Sequence, residues 1–364
     1  MSDKYSIDSH KLMYHPIRVA KWLEAKDEWD KLKKVYPIYV EISPYGGCNH
    51  RCTFCALDFM GYKNIALKKD VLMKTIKDMA KNGIKSVMFA GEGEPLLYKN
   101  LDEVVEFCND VGIDSSLTTN FVPTNEKEID SFVKYCKWIK VSLNAGTKAS
   151  YQNIHKTKQQ DFNKVIKNLE YAIKIRKDNN YKCAIGVQMI LLPDNKDEAV
   201  VLANICKNIG VDYLVIKPYS QHLSSNNTKY KELNYSEMVN ISKDLEKFND
   251  EKFNVVFRIN TINRQIQKKH NYTKCYSTPF FWGYITSGGD VYGCSAYLGD
   301  DKFCYGNINK NSFSEIWESD KRKQSYNYMM NELDINQCRL TCRMDNINEY
   351  LYRLKNSNEH DNFI

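Results

Sequence analysis

The chain has 364 residues, 43% hydrophobic and 27% charged, the balance of an ordinary folded protein with room for one large domain and an appendage. No run approaches the roughly 18 consecutive apolar residues of a membrane span, and the N-terminus lacks the apolar stretch of a secretion signal, so a cytoplasmic location is expected. Lys and Arg number 52 against 45 Asp and Glu; the excess is mild and scattered, which permits an anionic substrate and gives no argument for nucleic acid.

Residues 9–34 place Ile17, Val19, Trp22, Leu23 and Trp29 at roughly helical spacing, interrupted by Pro16, and residues 1–36 read as an N-terminal helical extension. From Pro37 a rhythm sets in: a short apolar run, a polar turn, an amphipathic stretch. Strands are expected at 38–42, 86–90, 115–119, 138–143, 184–191 and 212–216, with helices near 68–82, 99–111, 125–136, 161–177 and 196–208. Gly83, Gly112 and Gly210 stand where these helices end. Six strands joined by helices imply right-handed crossovers and a parallel sheet. Six units are too few to close an eight-stranded barrel, so 37–217 is expected to form an open, partial α/β barrel with its chemistry at the strands' carboxyl ends. The rhythm then stops. Segment 218–270 reads as a polar loop, a helix near 235–249 and a strand at 254–259. Residues 271–364 read as a small domain with a hairpin turning at Ser287-Gly288-Gly289-Asp290 and a helix capped by Ser312 or Ser314.

The 12 cysteines are unevenly placed, and in a reducing compartment they rarely pair. Cys48, Cys52 and Cys55 crowd into one loop after the first strand, where three thiolates can converge on one centre. Zinc in a closed site wants four protein ligands and could borrow His50. A [4Fe–4S] cluster held by three cysteines leaves one iron open to a small molecule. Gly91-Glu92-Gly93-Glu94-Pro95 follows the second strand, and its glycines let main chain approach a ligand closely; alone it would equally be a tight turn. Cys275, Cys294, Cys338 and Cys342 form a second group that suits a closed cluster or zinc. Cys108, Cys136, Cys183 and Cys206 lie among apolar residues, as core thiols do.

With both loops one strand–helix unit apart, residues 37–217 resemble the radical S-adenosylmethionine (SAM) superfamily. CNHRCTFC at 48–55 is similar to its CxxxCxxC motif and GEGEP at 91–95 to its Gly-Gly-Glu-Pro motif, with Glu92 in place of a glycine. The resemblance implies a partial (βα)6 barrel, a [4Fe–4S] cluster on Cys48, Cys52 and Cys55, and SAM chelated by the open iron. It implies Phe54 beside the adenine and the Gly91, Glu92, Gly93, Glu94 loop on the SAM ammonium. Ser142, Asn144, Gln188 and Lys217 would be further cofactor contacts from strand ends. His155 or Lys156 would stand where relatives pair the SAM carboxylate with arginine, unless both belong to a solvated helix.

The last cysteines resemble the auxiliary-cluster domain called Twitch, a shorter form of SPASM. This implies a second [4Fe–4S] cluster on Cys275, Cys294, Cys338 and Cys342, for electron transfer or structure. Cys304 fits neither group, and is either a packed thiol or a hydrogen-atom donor to a substrate radical. The implied activity is reductive cleavage of SAM to a 5′-deoxyadenosyl radical that takes a substrate hydrogen, with a flavodoxin- or ferredoxin-type reductant and a dehydrogenation or epimerisation outcome. Tyr219, Gln221, His222 and Arg258 are expected to line the cavity of a small polar substrate, carbohydrate- or cyclitol-type, because the residues before the first strand are too few for a peptide-leader domain. The alternatives are modification of a peptide or RNA, and a non-catalytic Fe–S or zinc protein.

Overall fold

The computed structural model describes residues 5–363; residues 1–4 and 364, the outer ends of the expected first and last segments, lie outside it. The six expected strands form to within two residues: β1 (Tyr39–Ile42), β2 (Ser86–Phe89), β3 (Asp114–Thr119), β4 (Cys136–Ser142), β5 (Ala184–Leu191) and β6 (Tyr213–Pro218). They pair in parallel and in chain order. β5 shows how a strand comes to read as an unbroken apolar run. Ile185, Val187, Met189 and Leu191 pack outward against helices, while Gly186, Gln188 and Ile190 turn into the barrel, so neither face meets bulk water. Gly186 is required because a Cβ there would lie 2.1 Å from the Tyr213 ring. That ring, Val215 and Val256 close the barrel floor with Tyr5 and Ile7.

Helices Lys69–Lys81, Leu101–Asp110, Glu126–Tyr135, Gln159–Asp178 and Ala199–Ile209 match the expected ones. A further helix, Lys148–His155, escaped the sequence pattern because two turns give too little periodicity; Thr147 caps it and Lys156, at φ 51°, ends it. The helix expected near 235–249 shortens to Ile241–Glu246. The Tyr235 hydroxyl donates to Leu191 O at 2.7 Å and accepts from Tyr219 N at 2.6 Å, which pins the preceding turns to the barrel.

Four strands extend the sheet beyond the expected six. β7 (Asn254–Phe257) adds in parallel to β6. On the opposite edge, β8 (Trp282–Ile285) pairs in parallel with β1 and leads into antiparallel β9 (Asp290–Tyr292) and β10 (Cys304–Asn307). One ten-stranded sheet therefore runs β10-β9-β8-β1-β2-β3-β4-β5-β6-β7, across the expected boundaries at 217 and 271. Helix Pro16–Glu24 sets Val19 and Trp22 into the C-terminal core beside Phe280, Phe281 and Trp282. Ser312 caps helix Phe313–Trp317 in a reciprocal capping box with Glu315.

Candidate functional site

The Cys48–Cys52–Cys55 loop is tied down from both sides. Glu94 N donates to Gly47 O at 2.9 Å, while Arg51 N and Thr53 N donate to His155 O and Ile154 O at 3.0 and 2.8 Å. Burial pushes the Cys48 thiol up to about 12, with nearby Glu94 adding to it. Burial and then its neighbours Cys55 and Cys48 hold Cys52 well above the ordinary thiol range, and burial also raises Cys55. Such thiols become thiolates when a metal takes the proton's place. The residues present therefore fit a thiolate-bound centre.

The second ring around this loop is imidazole. His155 Nδ1 lies 3.2 Å from Cys52 Sγ, and its Nε2 lies 2.9 Å from Leu143 O. Nε2 then carries the hydrogen and donates to the carbonyl, which turns the Nδ1 lone pair toward the sulfur. The ligand atoms of His50, Cys52 and His155 lie within 4.8 Å of one another, so this triad could also hold a single ion. Two further thiols on the same loop favour the cluster.

The GEGEP loop is packed on the cysteine loop. A Cβ on Gly93 would sit 2.1 Å from Gly47 O, and one on Gly91, where φ is +115°, would sit 2.5 Å from the Tyr284 hydroxyl. Both carboxylates of the loop are already engaged. Glu94 accepts from Leu96 N at 3.1 Å, Asn120 N at 2.8 Å and the Thr119 hydroxyl; burial nevertheless lifts it to about 7. Glu92 accepts from Ser287 N at 3.1 Å and from its hydroxyl at 2.8 Å, across to the β8–β9 turn. Both side chains thus help to hold the loop itself in place.

The second cysteine group gathers between β8 and the C-terminal helices. Burial holds Cys294 well above the ordinary range, with Cys342, Cys275 and Cys338 adding to it. Burial lifts Cys342 to about 12 and Cys338 to about 11, each also feeling Cys275. Among the described residues, no three of these sulfurs close to within 4.8 Å. Four thiols gathered in this way could hold a closed cluster or a zinc ion.

Between the two groups lies a cavity of about 390 Å³ whose wall includes Phe54 from the first loop and Cys342 from the second. Gln188 and Lys217, expected as cofactor contacts, and Tyr219 and Arg258, expected as substrate contacts, all line it. Lys140, Tyr39, Arg339 and Arg343 line it as well and were missed. Lys140 did carry a signal: Trp138, Lys140 and Ser142 alternate with the core residues Ile139 and Val141, which puts them on the inward face.

Other expected residues lie elsewhere. The Gln221 amide donates to Asn227 O at 3.0 Å, and His222 Nε2 bonds Ser295 O at 2.8 Å while its ring stacks on Phe59. Both shape the loop after β6, and neither lines the cavity. Asn144 is a buried clamp whose Oδ1 accepts from Ile190 N at 2.8 Å. Ser142 is half-buried at the end of β4, outside the cavity wall. Lys156 is exposed at a helix end, and His155 faces the cysteines. Cys304 begins β10 inside the C-terminal hydrophobic cluster, with Gly306 O as its sulfur's partner, and does not reach the cavity; its surroundings are those of a packed thiol.

Two family models match the chain: the Radical SAM superfamily over residues 42–205, and SPASM, an iron–sulfur cluster-binding domain, over 275–343. The chain belongs to the radical SAM superfamily and carries a SPASM-type auxiliary region. Among curated relatives, the S-adenosylmethionine-dependent nucleotide dehydratase of Lacinutrix mariniflava is 34% identical over 107 residues, 27% of this chain and 21% of that protein. The probable GTP 3′,8-cyclase of Saccharolobus solfataricus is 27% identical over 166 residues, 45% of this chain and 51% of that protein. The matches thus span about half or less of these relatives' own length. Streptococcus suis SuiB, in its structure bound to the precursor peptide SuiA, superposes with a TM-score of 0.65 at 19% identity, over 98% of this chain and 81% of that one. It shares the fold. No helix among the described residues is long and apolar enough to cross a membrane.

Proposed function

We propose that this chain is a radical SAM enzyme with an auxiliary cluster, and that its substrate is a peptide. The observation that carries the reaction class is one cavity walled by Phe54 of the CxxxCxxC loop and by Cys342 of the second cysteine group, with the GEGEP loop packed on the first of these loops. In this reading Cys48, Cys52 and Cys55 hold the SAM-binding [4Fe–4S] cluster, and Cys275, Cys294, Cys338 and Cys342 a second one. When bound, these groups would supply one-electron cleavage of SAM to methionine and a 5′-deoxyadenosyl radical, which takes a hydrogen atom from the substrate and leaves as 5′-deoxyadenosine. The protein orients and shields. Phe54 offers an aromatic face for the adenine and Gln188 a polar contact from β5. A flavodoxin- or ferredoxin-type protein would deliver the electron.

The peptide reading is supported by the fold match to peptide-bound SuiB over nearly the whole chain. The carbohydrate or cyclitol reading has no such support. A second reading, a nucleotide substrate, is favoured by the cationic lining of the cavity and by what the two curated relatives are named for.

The test is anaerobic reconstitution followed by iron analysis and dithionite-driven SAM cleavage. About eight irons per chain and steady 5′-deoxyadenosine formation are expected. Joint replacement of Cys48, Cys52 and Cys55 by Ala should remove about half the iron and all cleavage. Unchanged cleavage in that variant would refute the proposal.

A further inference from the structure

Five cationic side chains line the cavity between the cysteine groups: Lys140 from β4, Lys217 from β6, Arg258 after β7, and Arg339 and Arg343 beside the last two cysteines. Two carboxylates answer them. Arg343 pairs with Glu41 at 2.5 Å, and Arg258 Nε with Asp8 at 3.3 Å. Arg339 is held by Ser220, through its main-chain oxygen at 2.9 Å and its hydroxyl at 3.3 Å, and lies within the field of the Cys342 and Cys294 thiols. Granting Arg339 and Arg343 to Glu41 and the auxiliary thiolates, and Arg258 to Asp8, leaves two ammonium groups over. Among the described residues, neither the Lys140 nor the Lys217 side chain has an ion pair or hydrogen bond; the Lys140 ammonium lies over the Trp138 ring, 5.3 Å from its centroid, and within the field of Glu41.

Unanswered charge in a protein interior is costly, and such groups are retained where something pairs with them. The cost is visible in both lysines. Burial, then the Arg343 and Arg258 charges, draws Lys140 down to about 8. Burial and all four of the other cations hold Lys217 well below the ordinary lysine range. SAM cannot relieve this, because its carboxylate is more than offset by its own ammonium and sulfonium. A negative charge carried by the substrate would relieve it.

We infer that Lys140 and Lys217, with Arg258 at their side, form an oxyanion subsite that receives a phosphate or a pair of carboxylates of the substrate, at the heart of the cavity. The inference rests on the radical SAM reading for the role of that cavity. It defines the substrate class further: a peptide would enter by acidic side chains, and a nucleotide by its phosphates. Two flexible lysines, rather than a rigid guanidinium fork, suit a charge that must shift as the reacting carbon is presented.

The experiment uses anaerobically reconstituted holoenzyme at constant ionic strength. Calorimetric titrations are run with inorganic phosphate, GTP against guanosine, and a glutamate-rich peptide against its glutamine counterpart. An anionic probe should bind at one site per chain, its uncharged counterpart should not, and Lys140→Met and Lys217→Met should each weaken binding at least tenfold. Preference for GTP assigns the anion to phosphate, and preference for the glutamate peptide assigns it to carboxylates. Should a variant fail to fold, amine labelling of the wild type read by peptide mass spectrometry replaces it. Saturating anion should protect Lys140 and Lys217 and leave surface lysines labelled. Binding no better than the uncharged counterparts, equal binding in both variants, or no protection overturns the inference. Wild-type SAM cleavage, measured on the same preparation, separates that result from failure of the radical SAM reading.

Discussion

Gly93→Ala tests how closely the two SAM-site loops depend on one another. An added Cβ would lie 2.1 Å from Gly47 O, 2.6 Å from Tyr45 O and 2.7 Å from Gly46 C, all of it backbone that cannot rotate aside. Restoring even a 3.0 Å separation from Gly47 O moves the loops apart by about 0.9 Å, since protein interiors are close-packed and overfilled sites shift backbone. The neighbouring Glu94 N to Gly47 O bond, now 2.9 Å, would then exceed hydrogen-bonding distance. Overpacking costs about 1–3 kcal/mol and the lost bond about 1 kcal/mol, so a loss of about 2–4 kcal/mol is expected. Urea unfolding of the apoprotein reads the stability, and SAM titration of the reconstituted protein reads the site. Gly288→Ala is the control: its Cβ would have Thr286 and Asp290 no nearer than 3.8 Å, and stability should stay within about 0.5 kcal/mol. Gly93→Ala with stability and SAM affinity both unchanged would refute the reasoning.

Three other substitutions probe the C-terminal half. Arg322→Met should lower stability by about 2–4 kcal/mol in thermal or urea unfolding, because the buried guanidinium donates to Pro279 O at 2.8 and 3.0 Å and lies 4.2 Å above the Trp317 ring, and those carbonyl bonds would go unmade. Cys304→Ala should cost about 1–2 kcal/mol and still yield the wild-type product, judged by mass spectrometry; a changed product would show that its sulfur takes part in the chemistry. Glu92→Ala should speed amide exchange at the β8–β9 turn, where Ser287 N loses its acceptor, and leave exchange in the far helix Gln159–Asp178 unchanged.

Much of the barrel was legible because strands such as β2, β5 and β6 are buried on both faces, which writes a short apolar run into the chain. The helix at Lys148–His155 was not, since eight residues held by one threonine cap leave no sustained period. Cys48, Cys52 and Cys55 could be read as one group because a single loop supplies all three, and spacing along the chain then stands in for spacing in space. Gln221 and His222 misled for the converse reason. They follow a strand end, where substrate residues belong, yet their polar atoms are spent on the carbonyls of Asn227 and Ser295 that hold the loop itself in shape. Net charge was silent about the cavity. A balance of 52 against 45 says nothing about where charges fall, and Lys140 and Lys217 meet only because β4 and β6 flank the same strand.

Glu92 draws these threads together. In the motif it resembles, a glycine stands there, and along the chain the substitution looks like a fault in the match. In space its carboxylate takes both donors of Ser287, which β8 carries to the site by pairing with β1. Such a bond requires the C-terminal hairpin to dock on the barrel's open edge rather than form a separate body. The docking has a second result. By extending the sheet past β1 it brings the second cysteine group, with Arg339 and Arg343, to the wall that the barrel strands leave open. The cavity is therefore enclosed by both halves of the chain. A side chain whose partner lies 195 residues away is one of the contacts that set how the two halves meet.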